Sequence, residues 1–158
     1  MNINIDIIDK QILSILQKNA RESASSIAEK INLSIPATSD RIKKMQDSDI
    51  ILGYSAILNY KKIGNNVSAM ITIISESSSN YEKIIDFSNK TDEIIECYAT
   101  TGRGSHIFFI ETADTESLEK LLRKIQSWPN IIRTETQIIL SKNKNLMSSF
   151  KNRSNKYE

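Results

Sequence analysis

Cysteine and histidine are almost missing from this chain of 158 residues, which has one of each, Cys97 and His106. A lone cysteine cannot close an internal disulfide, which suits a reducing compartment such as the cytoplasm. One cysteine and one histidine cannot furnish a multi-His/Cys metal centre, and no Ser/His/Asp order suggests a nucleophilic triad. The expectation is no catalytic residue, no metal ligand set and no cofactor. Cys97 reads as a small buried residue and His106 as a strand histidine satisfied at an interface. Long hydrophobic runs are missing too: Ile71-Thr72-Ile73-Ile74 is soon broken by Ser75-Glu76-Ser77, so no membrane partner is expected. The start, Met1 to Asp6, lacks the basic region and apolar stretch of a secretory signal.

An excess of one charge is also lacking. The formal net charge is +2, and residues 1–60 carry seven basic and seven acidic side chains. Residues 61–141 sum to −2 and residues 142–158 to +4. Any nucleic-acid surface in the first sixty residues must therefore come from arrangement rather than bulk charge.

What the chain has is clear periodicity. Ile5, Ile8, Ile12 and Leu16 recur at spacings of three and four, predicting a helix that ends near Asn19-Ala20. Asp6 and Asp9 in its first turn and Lys18 near its end suit the helix dipole. A second helix is expected from Ala24 to Lys30 behind a Ser23 cap, with Ile27, Ala28 and Ile31 inward. Asn32 tolerates the left-handed conformation that ends a helix, Ser34 can cap the next, and Pro36 fits its first turn. The third helix runs from Ile35 to Asp47. Thr38, Ile42 and Met45 point inward, Ser39, Asp40, Lys43 and Lys44 outward, and Ala37 and Arg41 lie on the flanks. Three helices with a short turn between the last two form a helix-turn-helix. Ile50 to Leu58 reads as an extended segment.

The period then changes. Val67, Ala69, Ile71 and Ile73 alternate with Met70, Thr72 and Ile74, predicting a strand. A helix with Tyr81, Ile84, Ile85 and Ser88 follows, then strands at 94–101 and 105–112 around Gly102-Arg103-Gly104. A helix from Thr115 to Gln126 buries Leu118, Leu121, Leu122 and Ile125, and a last strand covers 131–140. The fold class is α+β: an N-terminal, winged-helix-like helix-turn-helix over 1–60, a linker at 61–66, a ferredoxin-like βαββαβ domain over 67–141 and a basic polar tail at 142–158. Both faces of these strands are apolar and two helices cover only one, so a second copy is expected on the other.

Across residues 5–141 the chain resembles the Lrp/AsnC, or feast/famine, family of transcription regulators. Ile5-Asp6-Ile7-Ile8-Asp9-Lys10-Gln11-Ile12-Leu13 is similar to the family's opening helix, Ile27-Ala28 and Asn32-Leu33-Ser34 to its turn, and Arg41-Ile42-Lys43-Lys44-Met45 to its recognition helix. Ile50-Ile51-Leu52-Gly53-Tyr54, Glu96-Cys97, Thr101-Gly102 and Trp128-Pro129-Asn130-Ile131 match later landmarks. The resemblance implies a cytoplasmic regulator that binds double-stranded DNA as a homodimer, often assembled to a tetramer or octamer, with an amino-acid effector held between dimers. It implies DNA contacts from Ser34, Ala37, Ser39, Arg41, Lys43 and Lys44, although the same lysines also fit the solvated face of an ordinary helix bundle. It places Thr101, Gly102, Arg103, Gly104 and Ser105 at the effector, with Thr134 and Thr136 nearby; a Gly-x-Gly is also a plain hairpin turn. Three positions depart from the family. Asp49 replaces a usual glycine, Asp40 sits where a basic or polar residue is common, and Ser105 replaces an acidic residue beside the effector pocket. Asp40 leaves open a sensor that no longer binds DNA, and Ser105 a regulator with an unusual effector or none. Siroheme decarboxylase subunits share the architecture, but that enzyme needs a tetrapyrrole pocket with basic and histidine side chains, and His106 is the only histidine here.

Overall fold

The structure is a computed structural model, which describes residues 5–76 and 81–142. Most of the basic tail lies outside the described residues. The described chain divides into two compact units, residues 5–57 and Leu58–Lys142.

The first unit holds α1 (Ile7–Lys18), α2 (Ala24–Ile31) and α3 (Ile35–Asp47). Each helix begins where a short polar side chain satisfies a backbone N–H that has no partner within the helix. Asp6 accepts from the Asp9 amide at 2.8 Å while Asp9 accepts from the Asp6 amide at 3.2 Å, a reciprocal capping box. Ser23 accepts from the Ser26 amide at 3.2 Å and Ser34 from the Ala37 amide at 3.3 Å. The turn between α2 and α3 closes on Asn32 at φ 54°, as its side chain allows, and the Leu33 amide donates to the Ala28 carbonyl at 3.0 Å. Asp49, at φ 56°, takes the left-handed conformation where glycine is usual in the family. Ile12, Leu16, Ile27 and Met45 form the core, with Ile8, Leu13, Ile15, Ile31, Ile42, Ile50 and Ile51 packed around it. Fully burying an aliphatic side chain contributes about 1.5–3 kcal/mol, which holds together helices too short to persist alone.

The segment from Ile50 to Leu58, expected to be extended, joins no sheet, and Leu52, Tyr54, Ile57 and Leu58 are exposed. The physical reason is that a strand needs a ladder partner, and the described residues of this all-helical unit provide none.

The second unit opens with a 3₁₀ turn at Tyr60–Ile63, capped by Asn59, where the sequence suggested only a polar connection. Then come β1 (Val67–Ser75), α4 (Tyr81–Asn89), β2 (Ile94–Ala99), β3 (His106–Thr112), α5 (Thr115–Gln126) and β4 (Ile131–Ile138). The sheet order is β2-β3-β1-β4, with all neighbours antiparallel, the arrangement of a ferredoxin-like unit. The second, third and last strands are shorter than their apolar runs. Ala69, Ile71 and Ile73 of β1 oppose Ile110, Phe108 and His106 of β3. Their common face packs on Ile84 of α4 and on Leu118, Leu121 and Ile125 of α5. Trp128 stacks on Phe87 with ring centres 5.2 Å apart and meets Phe108 edge-on at 6.0 Å, locking the end of α5 to α4 and the sheet.

The other face carries Met70, Thr72, Ile74, Ile107 and Phe109, with Met70 exposed and the rest half-buried. Glu111 is buried among them. It accepts from Ser68 Oγ at 2.8 Å and from Lys142 Nζ at 2.6 Å, and the Lys142 ammonium lies 4.2 Å from the centre of the Phe109 ring.

Gly104 is where the β2–β3 turn meets this sheet. A Cβ at that position would lie 2.3 Å from Thr72 Cγ2 and 3.0 Å from the Ile73 carbonyl oxygen. Gly104→Ala is expected to destabilise the protein by about 1–3 kcal/mol in urea unfolding, the usual cost of overpacking. Adding Thr72→Ser, which removes the closer methyl, is expected to restore part of it; equal stability of Gly104→Ala and the parent would refute the close approach.

Candidate nucleic-acid interface and ligand loop

The face that α3 turns to solvent follows from what it buries. Thr38 is fully buried, its hydroxyl donating to the Ser34 carbonyl at 3.1 Å, and Met45 is nearly so. This orientation leaves Ser39 and Lys43 exposed, and Ser34 exposed at the helix start. The helix dipole favours an anion there, although Ser34 already caps the Ala37 amide and Pro36 has no N–H to offer. Lys44 is exposed as well, but its ammonium pairs with Asp40 at 2.8 Å, and that pairing holds the Asp40 carboxyl below its ordinary range. Lys43 has no ion pair among the described residues. Asp40 thus offsets one of the two outward lysines.

Arg41 is placed differently. Its Nη1 donates to Asp6 Oδ2 and to Asp9 Oδ1, both at 2.8 Å. Each carboxylate uses one oxygen for the capping box and the other for Arg41, so all four oxygens are occupied. The Asp6 carboxyl is held below its ordinary range, first by the Asp9 amide and then by Arg41; both carboxylates push the guanidinium up. Ala37, Asp40, Arg41 and Lys44 border a shallow pocket with Asp6 and Asp9. Of the six residues expected at DNA, Ser39 and Lys43 form the outward centre and Ser34 the helix start. Ala37, Arg41 and Lys44 lie toward α1. The role of Asp6 and Asp9 was missed in the sequence, although two aspartates three apart at a helix start are a capping signal.

The second site lies at the β2–β3 turn. Thr101, Gly102 and Arg103 are exposed, and Gly102 has φ 103°, which favours glycine. The remainder is anchored. The Ser105 amide donates to the Ile73 carbonyl at 2.8 Å, its hydroxyl lies 3.3 Å from the same oxygen, and the Thr100 hydroxyl donates to the Gly104 carbonyl at 3.2 Å. Thr134 and Thr136 pair across β4–β1 with Ile73 and Ile71 and share their helix-covered face; Thr134 Oγ1 accepts from Gln126 of α5 at 3.0 Å. Arg103 reaches Glu135, at 3.9 Å, which pairs with Thr72 on the opposite face. The loop and the two threonines therefore lie at the same end of the sheet, with β1 between their strands, but address opposite faces.

His106 corrects an expectation. It is fully buried on the helix-covered face of its own unit, with Nδ1 3.1 Å from Ser105 Oγ and its ring edge-on to Tyr81 at 4.8 Å, while Nε2 has no partner among the described residues. Burial pushes its pKa down, which favours the neutral ring. Cys97 is half-buried against the core. Among the described residues no three His, Cys, Asp or Glu side chains gather as a metal site, and no helix is long and apolar enough to cross a membrane.

Comparison with known proteins agrees with both halves. Residues 5–51 match the family model described as winged helix-turn-helix DNA-binding, and residues 66–148 that of the Lrp/AsnC ligand binding domain. The chain is 37% identical over 136 residues to the regulatory protein AsnC of Haemophilus influenzae, covering 85% of this chain and 91% of that protein. The structure of E. coli AsnC superposes with a TM-score of 0.82 at 30% identity, covering 90% of this chain and 97% of the other. A feast or famine regulatory protein from M. tuberculosis, solved in complex with L-methionine, gives 0.84 at 27% identity, covering 90% and 96%. The relatives are named as transcriptional regulators rather than as enzymes. With its paired helix-turn-helix and four-stranded ligand-binding unit, the chain belongs to the Lrp/AsnC family of transcriptional regulators.

Proposed function

We propose that this chain is a cytoplasmic, sequence-specific DNA-binding regulator whose C-terminal unit binds an amino acid. The observation that carries the DNA half is α3: a helix capped by Ser34 and fixed by Thr38 and Met45, which turns Ser39 and Lys43 to solvent. A helix presented this way fits the major groove, its N-terminal residues toward base edges and its lysines toward phosphates. Asp40 lowers the positive charge of this face without removing it, because it pairs with Lys44 and forms no ion pair with Lys43. Lys43→Ala with Lys44→Ala is expected to weaken DNA binding and to flatten its salt dependence, by about 0.9 in logarithmic slope for each phosphate that is no longer neutralised. An unchanged slope would exclude these lysines.

For the ligand half, Gly102 and Arg103 supply what an amino-acid carboxylate needs: a backbone without a Cβ in the way and an exposed guanidinium. The L-methionine bound to the mycobacterial relative supports an amino acid as ligand class. Thr101, Gly104 and Ser105 complete the loop, and Thr134 and Thr136 belong to the same end of the sheet. Calorimetric titration with the twenty amino acids is expected to reveal saturable binding of at least one, abolished in Arg103→Ala. Twenty flat titrations would leave a regulator without an amino-acid effector.

The half-exposed apolar face of β1 and β3 and the unpaired, apolar residues 51–59 both support a homodimer, the basis of any larger assembly. Sedimentation is expected to show a dimer or larger, and Phe109→Asp to shift it toward monomer; a monomeric parent protein would overturn this part.

A further inference from the structure

We infer that Arg41 is a positioning residue of the DNA-reading helix rather than one of its DNA contacts, and that Asp6 and Asp9 of α1 set the angle at which α3 presents Ser39 and Lys43. This rests on the DNA-binding reading above and names how the site is held.

The geometry carries it. Both hydrogens of Arg41 Nη1 are committed to carboxylates at 2.8 Å, and the side chain is only one-third exposed (32%). Asp9 is 14% exposed, so Arg41 stands where water would otherwise meet its side chain. Two carboxylates about one guanidinium leave a net negative charge, which the Asp40–Lys44 pair on the rim of the same pocket does not offset. Nη2 and Nε keep their N–H donors, but a phosphate that used them would sit beside two anions, whereas Asp40, the acid that acts on Lys43, is already paired with Lys44. The cluster also stands where the fold needs a constraint. α3 meets α2 more extensively than α1, so apolar packing fixes its α2-facing side better than the side turned to α1. Arg41 ties that looser side to the capping box of α1, across thirty-two residues of sequence. Because the caps and the ion pairs share the same two carboxylates, the start of α1 and the rotation of α3 are one arrangement.

The test uses the full-length protein and a short duplex that the parent protein selects from a random pool, with a scrambled duplex beside it. Asp9→Asn removes a negative charge near DNA, so charge alone would strengthen binding. The expected result is the opposite: about a tenfold loss on the selected duplex, the size of one mismatched base pair, with little change on the scrambled one and no change in salt slope. Arg41→Gln is expected to match it, again at constant slope, and the double variant to be no worse than either single one, since both break the same link. Arg41→Lys keeps the charge for a phosphate, but its stem ends one atom short of the Nη1 that bridges the two carboxylates, so it is expected to lose selectivity as well, and it serves should Arg41→Gln not fold. A slope lowered by about 0.9 in Arg41→Gln, with Asp9→Asn binding as tightly as the parent, would overturn the inference and make Arg41 a phosphate contact. Failure of the parent protein to select any duplex would instead overturn the DNA-binding reading itself.

Discussion

A four-stranded sheet has two faces, and the second unit has two helices with which to cover them. The second unit is arranged around that constraint. α4 and α5 seal the face of Ala69, Ile71, Ile73, Phe108 and Ile110, so the aliphatic and aromatic side chains there reach near-complete burial. The opposite face keeps Met70, Ile74, Ile107 and Phe109 without a helix. Part of it is closed from within. Lys142, just beyond β4, lies across Phe109 and neutralises Glu111, whose side chain has no exposure to water. A carboxylate so buried is tolerable only with such partners, because an uncompensated charge in the interior costs several kcal/mol. Lys142, four residues beyond β4, is thus part of the fold.

The first unit solves a different problem, that of making a DNA-reading surface with no net charge in its first sixty residues. Half of its charged side chains are engaged in ion pairs, and on α3 the pairing is selective. Glu22 takes hydrogen bonds from Asn19, Ser26 and Lys30, which draw its pKa down to about 2 and keep it ionised throughout the neutral range. Asp6 and Asp9 hold Arg41, and Asp40 holds Lys44. Of the three basic residues of α3, only Lys43 has no ion pair among the described residues. Bulk charge is therefore a poor guide to this surface, and position is a good one.

How legible this was in the sequence depended on the range of the interaction. Helix limits, the Ser23 and Ser34 caps, the left-handed Asn32 and the faces of α3 and β1 all rest on residues within a turn or a strand of one another, and they stand where periodicity and capping predict them. The same holds for Asp49, whose short side chain tolerates positive φ in glycine's place. The link from Arg41 to Asp6 and Asp9 joins residues more than thirty apart, and nothing in the local pattern of α3 distinguishes an arginine that faces DNA from one that faces α1. For the extended segment from Ile50 to Leu58, β-like composition says nothing of whether a ladder partner exists. His106 alternates correctly within β3, yet which side of the strand meets the helices, and that Nε2 would find no partner there, follow only from packing.

The same distinction between local and distant partners sharpens the departure at Ser105. In place of the family's acidic residue there is a buried serine whose amide is engaged by the Ile73 carbonyl and whose hydroxyl meets that oxygen and His106 Nδ1. Such a residue supplies neither charge nor an unengaged donor to a ligand; it fixes the base of the loop against β1. Gly104 does the same by its lack of a side chain, since the space beside it is filled by Thr72 and the Ile73 carbonyl. Any ligand recognition in this turn must then fall to its exposed half, the backbone at Gly102 and the guanidinium of Arg103. With no carboxylate at 105, that guanidinium pairs instead with Glu135, 3.9 Å away on the open face. Ligand charge would be read from that side of the sheet, the side that the helices leave uncovered.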